Sequence, residues 1–276
     1  MQKSILITGA TSGIGKAAAL QLALQGHNIL FNSRNPMRGE KVREELISAS
    51  GNSQITTLPA NLASFQQIKA FAKGVQKKMP VIDVLINNAG MFASEQRLTE
   101  DDYEETLAVN HLAPFLLTGL LLDNLKKSPA ARIINVSSGA HKNGKVYFDD
   151  MNGEKEFKPF KRYGDTKLMN VLFSRHLAQK LADTDITVNS LHPGVVGTNV
   201  AREFPAWARM LFDWLSLSPE KGAQTTVYLA TKPEGGKVSG EYFYKSKIAK
   251  TSALAKDDEL AAKLWQWSEE ATGISY

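Results

Sequence analysis

Residues 3–24, KSILITGATSGIGKAAALQLAL, decide the fold class. An apolar run from Lys3 to Thr8 meets a turn containing Gly9, Gly13 and Gly15, and from Lys16 to Leu24 the apolar residues return at helical spacing. The order is strand, glycine turn, helix. Glycines let a backbone approach a bound group closely, and a helix start offers unpaired N–H groups at the positive end of its dipole. Such a turn suits the pyrophosphate of a dinucleotide, although an ordinary strand-to-helix connection has the same outline. The spacing is G-x3-G-x-G, not G-x-G-x-x-G. It is not a P-loop either, because Ala17 follows Gly15-Lys16 and no glycine lies five positions before Gly15.

Working outward, Asn28 to Asn32 reads as a second strand that closes a βαβ unit. An acidic residue at its end would accept from the adenosine ribose hydroxyls. Ser33-Arg34 instead offer a hydroxyl and a guanidinium, which suit a 2′-phosphate through charge-assisted hydrogen bonds. Arg38 and Lys41 on the next helix add positive field. This predicts NADPH in preference to NADH, against a reading of Arg34 as a solvated charge. Gln54 to Leu58 is a third strand, and Ser64 with Gln67 forms a capping-box start for a helix through Lys78. Val81 to Ile86 is a fourth, buried strand ending in Asn87-Asn88-Ala89-Gly90. Thr99 to Asp102 is expected to cap a helix towards Lys126, which carries Asn110 among apolar neighbours at some cost in helix propensity. Ala131 to Val136 is a fifth strand, ending in Ser137-Ser138-Gly139.

Residues 159–182, PFKRYGDTKLMNVLFSRHLAQKLA, form an amphipathic helix with Tyr163 and Lys167 four apart on one face and Leu168, Val171, Leu172, Leu177 and Leu181 as its apolar companions. A nearby ammonium favours the phenolate and lowers a phenol pKa from ~10 by roughly 1 to 3 units. That would make Tyr163 a usable acid or base. A surface tyrosine and lysine one turn apart satisfy the same spacing. Ile186 to Leu191 is a sixth strand leading into His192-Pro193-Gly194-Val195-Val196-Gly197-Thr198. Residues 204–217 place Trp207, Leu211 and Trp214 on one stripe, which fits a lid over an apolar pocket, a core helix or a membrane-surface helix. Ser218-Pro219-Glu220 opens a helix through Ala230, Glu241 to Tyr244 is a last strand, and Lys256 to Ala271 a final helix.

Composition narrows the function. A chain of 276 residues buries about three quarters of the surface its unfolded form exposes. The absence of cysteine excludes thiol chemistry and Cys-ligated zinc, and the five histidines contain no HExxH pair. The N-terminal apolar run is too short for a signal peptide or a membrane span. Net charge is +5 and the pI about 9.2, but basic and acidic residues are interspersed without a nucleic-acid motif, so a local anionic ligand is the better explanation. No repeat or linker divides the chain. The expectation is one soluble, cytoplasmic α/β domain spanning residues 1–276, with no nucleic-acid partner and no membrane span.

TGATSGIG, NNAG, Asn110, NVSS and YGDTK, taken in that order, resemble the short-chain dehydrogenase/reductase family over nearly the whole length. NVSSGAHKNGKVYFDDMN, KLMNVLFSRHLA, NSLHPGVVGT, GEYFYKSK and KLWQWSEEATG are most similar to its retinol dehydrogenase-like branch. The resemblance implies a Rossmann-type doubly wound domain, a seven-stranded parallel sheet with helices on both faces, and a catalytic set of Asn110, Ser138, Tyr163 and Lys167. It further implies that Tyr163 exchanges a proton with the substrate oxygen while Ser138 hydrogen-bonds that oxygen. Lys167 holds the nicotinamide ribose and lowers the tyrosine pKa, and Asn110 anchors a water. Ser137 is left as a structural residue at the strand end. The implied cofactor-binding residues are Gly9, Thr11, Ser12, Gly13, Ile14, Gly15, Ser33, Arg34, Asn61, Leu62, Asn88, Ala89, Gly90, Tyr163, Lys167, Pro193, Gly194, Val196 and Thr198, with no metal. Asn61 stands where the family commonly has an aspartate accepting from the adenine amino group. The 24 residues between Ser138 and Tyr163 read as a loop at the site mouth with an extended piece at Lys145 to Phe148, and His141 within it is either a second acid or a plain loop residue. The expected activity is NADP(H)-dependent interconversion of an apolar aldehyde or ketone with its alcohol, and Phe92, Trp207 and Trp214 fit an apolar pocket. A homodimer or tetramer through residues 99–126 and 159–182 is implied, although related reductases can be monomeric. A catalytically silent NADP(H)-binding sensor or scaffold is the rival reading, disfavoured by the intact catalytic set. An epimerase or dehydratase would favour a different glycine turn and a larger C-terminal domain.

Overall fold

The first strand, β1 (Ser4–Ile7), sets a pattern that the sheet repeats: Ile5 and Ile7 point to one face and Leu6 to the other, all three fully buried. The computed structural model describes residues 1–194 and 217–276. Expectations for Val195, Val196, Gly197 and Thr198, and for the stripe Trp207, Leu211 and Trp214, lie outside the described residues. After β1 come α1 (Gly13–Leu24), β2 (Asn28–Ser33), α2 (Pro36–Ser50), β3 (Ile55–Pro59), α3 (Phe65–Lys78) and β4 (Val84–Asn87). A continuous helix α4 (Glu105–Lys126) leads to β5 (Arg132–Val136), α5 (Pro159–Lys180) and β6 (Thr187–His192). Following the undescribed stretch are α6 (Pro219–Thr231), β7 (Tyr242–Tyr244), β8 (Lys247–Ile248) and α7 (Asp258–Thr272).

The strands form one sheet in the order β3-β2-β1-β4-β5-β6-β7-β8. Leu6, Leu30, Leu85, Ile133 and Val188 pack on one face with side chains from α3, α4, α5 and α7, while Ile5, Ile7, Ile29, Phe31, Ile86 and Ile134 pack on the other with α1, α2 and α6. Both faces are covered, which is why the strands read as apolar runs rather than as strict alternation. Because β1 lies between β2 and β4, the chain reverses its direction across the sheet there. The turns after β1 and β4 therefore meet at the crevice where doubly wound sheets bind ligands.

Three expectations need correction. The sheet has seven parallel strands plus an antiparallel eighth: β8 pairs with β7 through a tight turn in which Lys245 (φ 49°) and Ser246 (φ 58°) are both left-handed. No glycine or asparagine marks that turn; Thr225 Oγ1 accepts from Ser246 N at 3.1 Å and holds it. The cap of α4 is Glu104, whose carboxylate accepts from Thr106 N and Leu107 N, whereas Thr99 to Asp102 form a preceding turn with Asp102 at φ 62°. At the start of α3, Ser64 Oγ does accept from Gln67 N at 3.3 Å, but the Gln67 side chain turns away to accept from Asn61 N, so only half of the capping box forms. Residues 145–147 carry no regular secondary structure and Phe148 begins a turn, so the expected extended piece joins no sheet.

Among the described residues α4 is the one helix long and apolar enough to cross a membrane. It is the central core helix, with 78% of its most apolar window buried.

Gly15 marks the tightest approach in this framework. A Cβ there would lie 2.3 Å from Gly9 O and 2.4 Å from Asn88 Nδ2, and neither can retreat without disturbing the crevice. Gly15→Ala is expected to destabilise the protein by about 1 to 3 kcal/mol. An unchanged thermal unfolding midpoint would contradict this packing.

Candidate active site

The turn after β1 is fixed by polar side chains rather than by its glycines alone. Thr8 Oγ1 accepts from both Asn88 N and Ala89 N at 3.0 Å, Asn88 Nδ2 donates to Thr8 O at 2.8 Å, and Asn32 Oδ1 accepts from Gly9 N at 3.0 Å. The NNAG turn and the glycine turn are thereby one rigid unit. No side chain caps α1 and its first turn holds no acidic residue, so the amides of Gly13, Ile14 and Gly15 present the positive end of the helix to this crevice. Such a donor set fits a pyrophosphate.

The neighbouring residues divide. Arg34 is exposed beyond the end of β2, and Arg38 reaches back so that its guanidinium donates to Thr11 O at 3.4 Å, on the glycine turn itself. Arg38 is thus closer to the site than its helical position alone implied. Ser33, by contrast, is buried and its hydroxyl donates to Asn35 O at 2.6 Å. Asn61 Oδ1 accepts from Ala63 N at 3.2 Å, which leaves one lone pair for a further donor. Leu62 is buried.

Asn110, Ser138, Tyr163 and Lys167 are brought to the same edge of the sheet. Asn110 sits in a π-helical turn (Ala108–Leu112) within α4, the kind of local bulge that re-aims a side chain. Its Oδ1 accepts from Met91 N at 2.8 Å, and its Nδ2 donates to Met91 O and to Thr166 Oγ1. Those contacts explain a mid-helix asparagine: it ties α4 to the turn after β4 and to α5. Ser138 starts the 3-10 turn Gly139–Asn143, its Oγ accepting from Ala140 N at 3.2 Å, and its hydroxyl lies beside the phenol of Tyr163, where it favours the phenolate. Lys167 Nζ lies 5.5 Å from the centroid of the Tyr163 ring and donates to Val136 O at 3.1 Å. A carbon added at Gly90 would stand 3.1 Å from Lys167 Nζ and 3.4 Å from Asn110 Oδ1, so both polar groups converge on NNAG. Ser137 Oγ donates to Lys167 O, a structural bond.

The electrostatics correct the expected sign. Burial pushes the Tyr163 phenol up to about 12, and the Ser138 hydrogen bond opposes this without overcoming it. Burial also pulls the Lys167 ammonium down to about 8. Low dielectric penalises both charged forms, so the lysine does not carry the tyrosine below its ordinary value. Tyr163 is therefore protonated at neutral pH.

The other histidines near the site are braces. His141 Nδ1 lies 2.7 Å from Ser138 O and its ring packs on Tyr242 at 4.6 Å, while burial holds its pKa down. His192 stacks on Tyr244 and is pulled to about 4, first by burial. It leads into Pro193 and Gly194, at the end of β6. Phe92 is buried with its ring centroid 6.2 Å from that of Tyr163, and the exposed Phe160 packs 5.0 Å from Phe92, giving an aromatic wall beside the phenol. No cluster of metal-ligating side chains occurs among the described residues.

The lowered Lys167 pKa makes a stability test. Between about pH 8 and 10.5 the unfolded chain holds this proton more firmly than the folded one, so stability rises with pH across that window. At pH 7 both states are protonated and the full burial penalty applies. Lys167→Met is expected to stabilise the fold at pH 7 by up to about 3 kcal/mol, the gain shrinking as pH rises through the window. Thermal midpoints measured at both ends check this, and a gain independent of pH would contradict it.

Comparison with known proteins agrees with this fold. A profile of the family described as short chain dehydrogenase matches residues 3–209. Retinol dehydrogenase 14 of Mus musculus is 41% identical over 288 residues, spanning 99% of this chain and 86% of that protein. The crystal structure of an uncharacterised protein from Mycobacterium Paratuberculosis has a TM-score of 0.83 at 29% identity, covering 100% of this chain and 95% of the other. A blue fluorescent protein from a metagenomic library, solved in complex with NADPH, has a TM-score of 0.69 at 26% identity, covering 87% and 95% of the two chains. The chain belongs to the short chain dehydrogenase family of oxidoreductases.

Proposed function

We propose that this protein is an NADP(H)-dependent oxidoreductase that interconverts an apolar aldehyde or ketone with its alcohol, Tyr163 giving or taking the proton. The observation that carries this reading is a protonated phenol beside the Ser138 hydroxyl with the Lys167 ammonium 5.5 Å from its ring, at the same sheet edge as an uncapped helix N-terminus. When bound, the nicotinamide supplies or accepts a hydride. Everything else falls to the chain. The Tyr163 hydroxyl donates its proton to the carbonyl oxygen as charge develops there, and Ser138 donates a hydrogen bond to the same oxygen. Lys167 sits where it would hold the ribose and return a proton to the phenol through its ammonium. The raised tyrosine pKa keeps the phenol in the protonated form from which reduction starts.

Arg34 and Arg38, flanking the glycine turn with no carboxylate at the end of β2, support a 2′-phosphate. The aromatic wall of Phe92 and Phe160 supports an apolar substrate, as does similarity to a retinol dehydrogenase.

Turnover of NADPH against a panel of apolar aldehydes and ketones tests the reaction. Tyr163→Phe keeps the ring packing and removes the proton donor, and it is expected to lower kcat by roughly 100- to 10,000-fold while NADPH still binds. NADPH binding without turnover of any member by the wild type would instead indicate a nucleotide sensor. For the cofactor, Arg34→Ala/Arg38→Ala is expected to raise KM for NADPH about 10- to 100-fold and leave that for NADH nearly unchanged. Equal wild-type affinity for the two cofactors would refute the preference.

A further inference from the structure

Tyr163 and Asn110 lie on different helices, and a buried ion pair fixes how those helices meet. Glu104, fully buried, accepts three bonds at this junction: Oε1 accepts from Thr106 N at 2.8 Å, and Oε2 accepts from Leu107 N at 2.9 Å and from Arg162 Nε at 2.7 Å. One carboxylate thus caps the helix that carries Asn110 and grips the residue immediately before Tyr163. The other arm of the fork, Arg162 Nη2, donates to Met151 O in the mouth loop. Asn152 completes the junction, accepting from Glu104 N and donating to Asp102 O, both at 3.0 Å. Farther along α5, Asp165 holds the start of the same loop by accepting from Lys145 N at 2.8 Å.

A buried ion pair is a weak source of net stability, since desolvating both charges offsets their attraction, and an apolar pair of similar volume would hold two helices together at least as well. What the apolar pair lacks is direction. Arg162 meets the carboxylate through Nε while its other arm holds Met151 O, and the same carboxylate caps α4, so these directed bonds together fix both the rotation of α5 about its axis and the height of α4 against it. Asn110 Nδ2 to Thr166 Oγ1, at 3.1 Å, is the second link between the helices, so Tyr163 is bracketed by two directional contacts.

We propose that Glu104 and Arg162 are positioning residues for the oxidoreductase reaction. They set the register between the helix bearing Tyr163 and the helix bearing Asn110, and they hold the mouth loop at Met151 over the site. The proposal rests on the oxidoreductase reading above.

Removing one partner alone strands a buried charge and unfolds the junction, so the informative variant is Glu104→Gln/Arg162→Met. It removes both charges at nearly constant volume and leaves an amide oxygen to cap α4. Three quantities are measured on wild type and variant: the thermal midpoint, KM for NADPH, and kcat for an apolar aldehyde per NADPH-binding site titrated by fluorescence quenching. The expected result is a retained or raised midpoint, KM for NADPH within about twofold, and kcat per site lower by roughly 10- to 100-fold, the size of effect that a slightly misplaced catalytic group produces. A purely structural role would move the midpoint or the number of binding sites and leave kcat per site unchanged, and that result overturns the proposal. A wild type that reduces no carbonyl removes the oxidoreductase reading and this proposal with it. An active wild type matched by an equally active variant removes the positioning role alone.

Discussion

Lys167 is held twice at the end of β5, by its backbone and by its side chain. Ser137 Oγ donates to its carbonyl at 2.7 Å, and its own Nζ donates to Val136 O at 3.1 Å. A slide of α5 by one residue, about 1.5 Å along its axis, would break both bonds. A buried polar layer extends the lock. Asn87 Nδ2 donates to Asn135 Oδ1 and to Thr118 Oγ1, Asn135 Nδ2 donates to Ser174 Oγ, and Ser174 Oγ donates to Asn170 O. This chain crosses β4, β5, α4 and α5 inside an otherwise apolar core. Apolar packing alone has no strong preference for register, whereas unpaired polar groups in the interior are costly enough to enforce one.

The same burial that fixes α5 sets its chemistry. Lys167 is 3% exposed and Tyr163 half-buried, so the medium penalises the ammonium and the phenolate together. The result is a lysine poised near 8 beside a tyrosine near 12. Such a pair keeps its proton on the phenol at neutral pH. The stability given up by burying a cation is the familiar expense of an active site whose groups are tuned for reaction rather than for folding.

What was legible in the sequence was local or periodic. The strand and turn of TGATSGIG, the face shared by Tyr163 and Lys167, and the cap at Ser218, which accepts from Lys221 N, all follow from neighbours within a few residues. What was hidden depends on distant partners. Glu104 caps α4 in place of Thr99 to Asp102 because its charge is matched by Arg162, far along the chain. The turn before β8 uses Lys245 and Ser246 in a conformation usually given to glycine because Thr225 holds it. Ser33 looked like a phosphate ligand, yet its hydroxyl is consumed by Asn35 O. The sign of the Tyr163 shift is the clearest case. Spacing revealed the nearby cation but not the depth of burial that outweighs it.

The central claim is that a protonated Tyr163 exchanges its proton with the substrate oxygen, and kcat measured in both directions across about pH 6 to 10 tests it most directly. The account predicts that alcohol oxidation accelerates with rising pH, as the small phenolate fraction grows, while carbonyl reduction, which starts from a phenol still protonated at the alkaline end, holds steady. Oxidation and reduction rates that are both independent of pH across this range would contradict it.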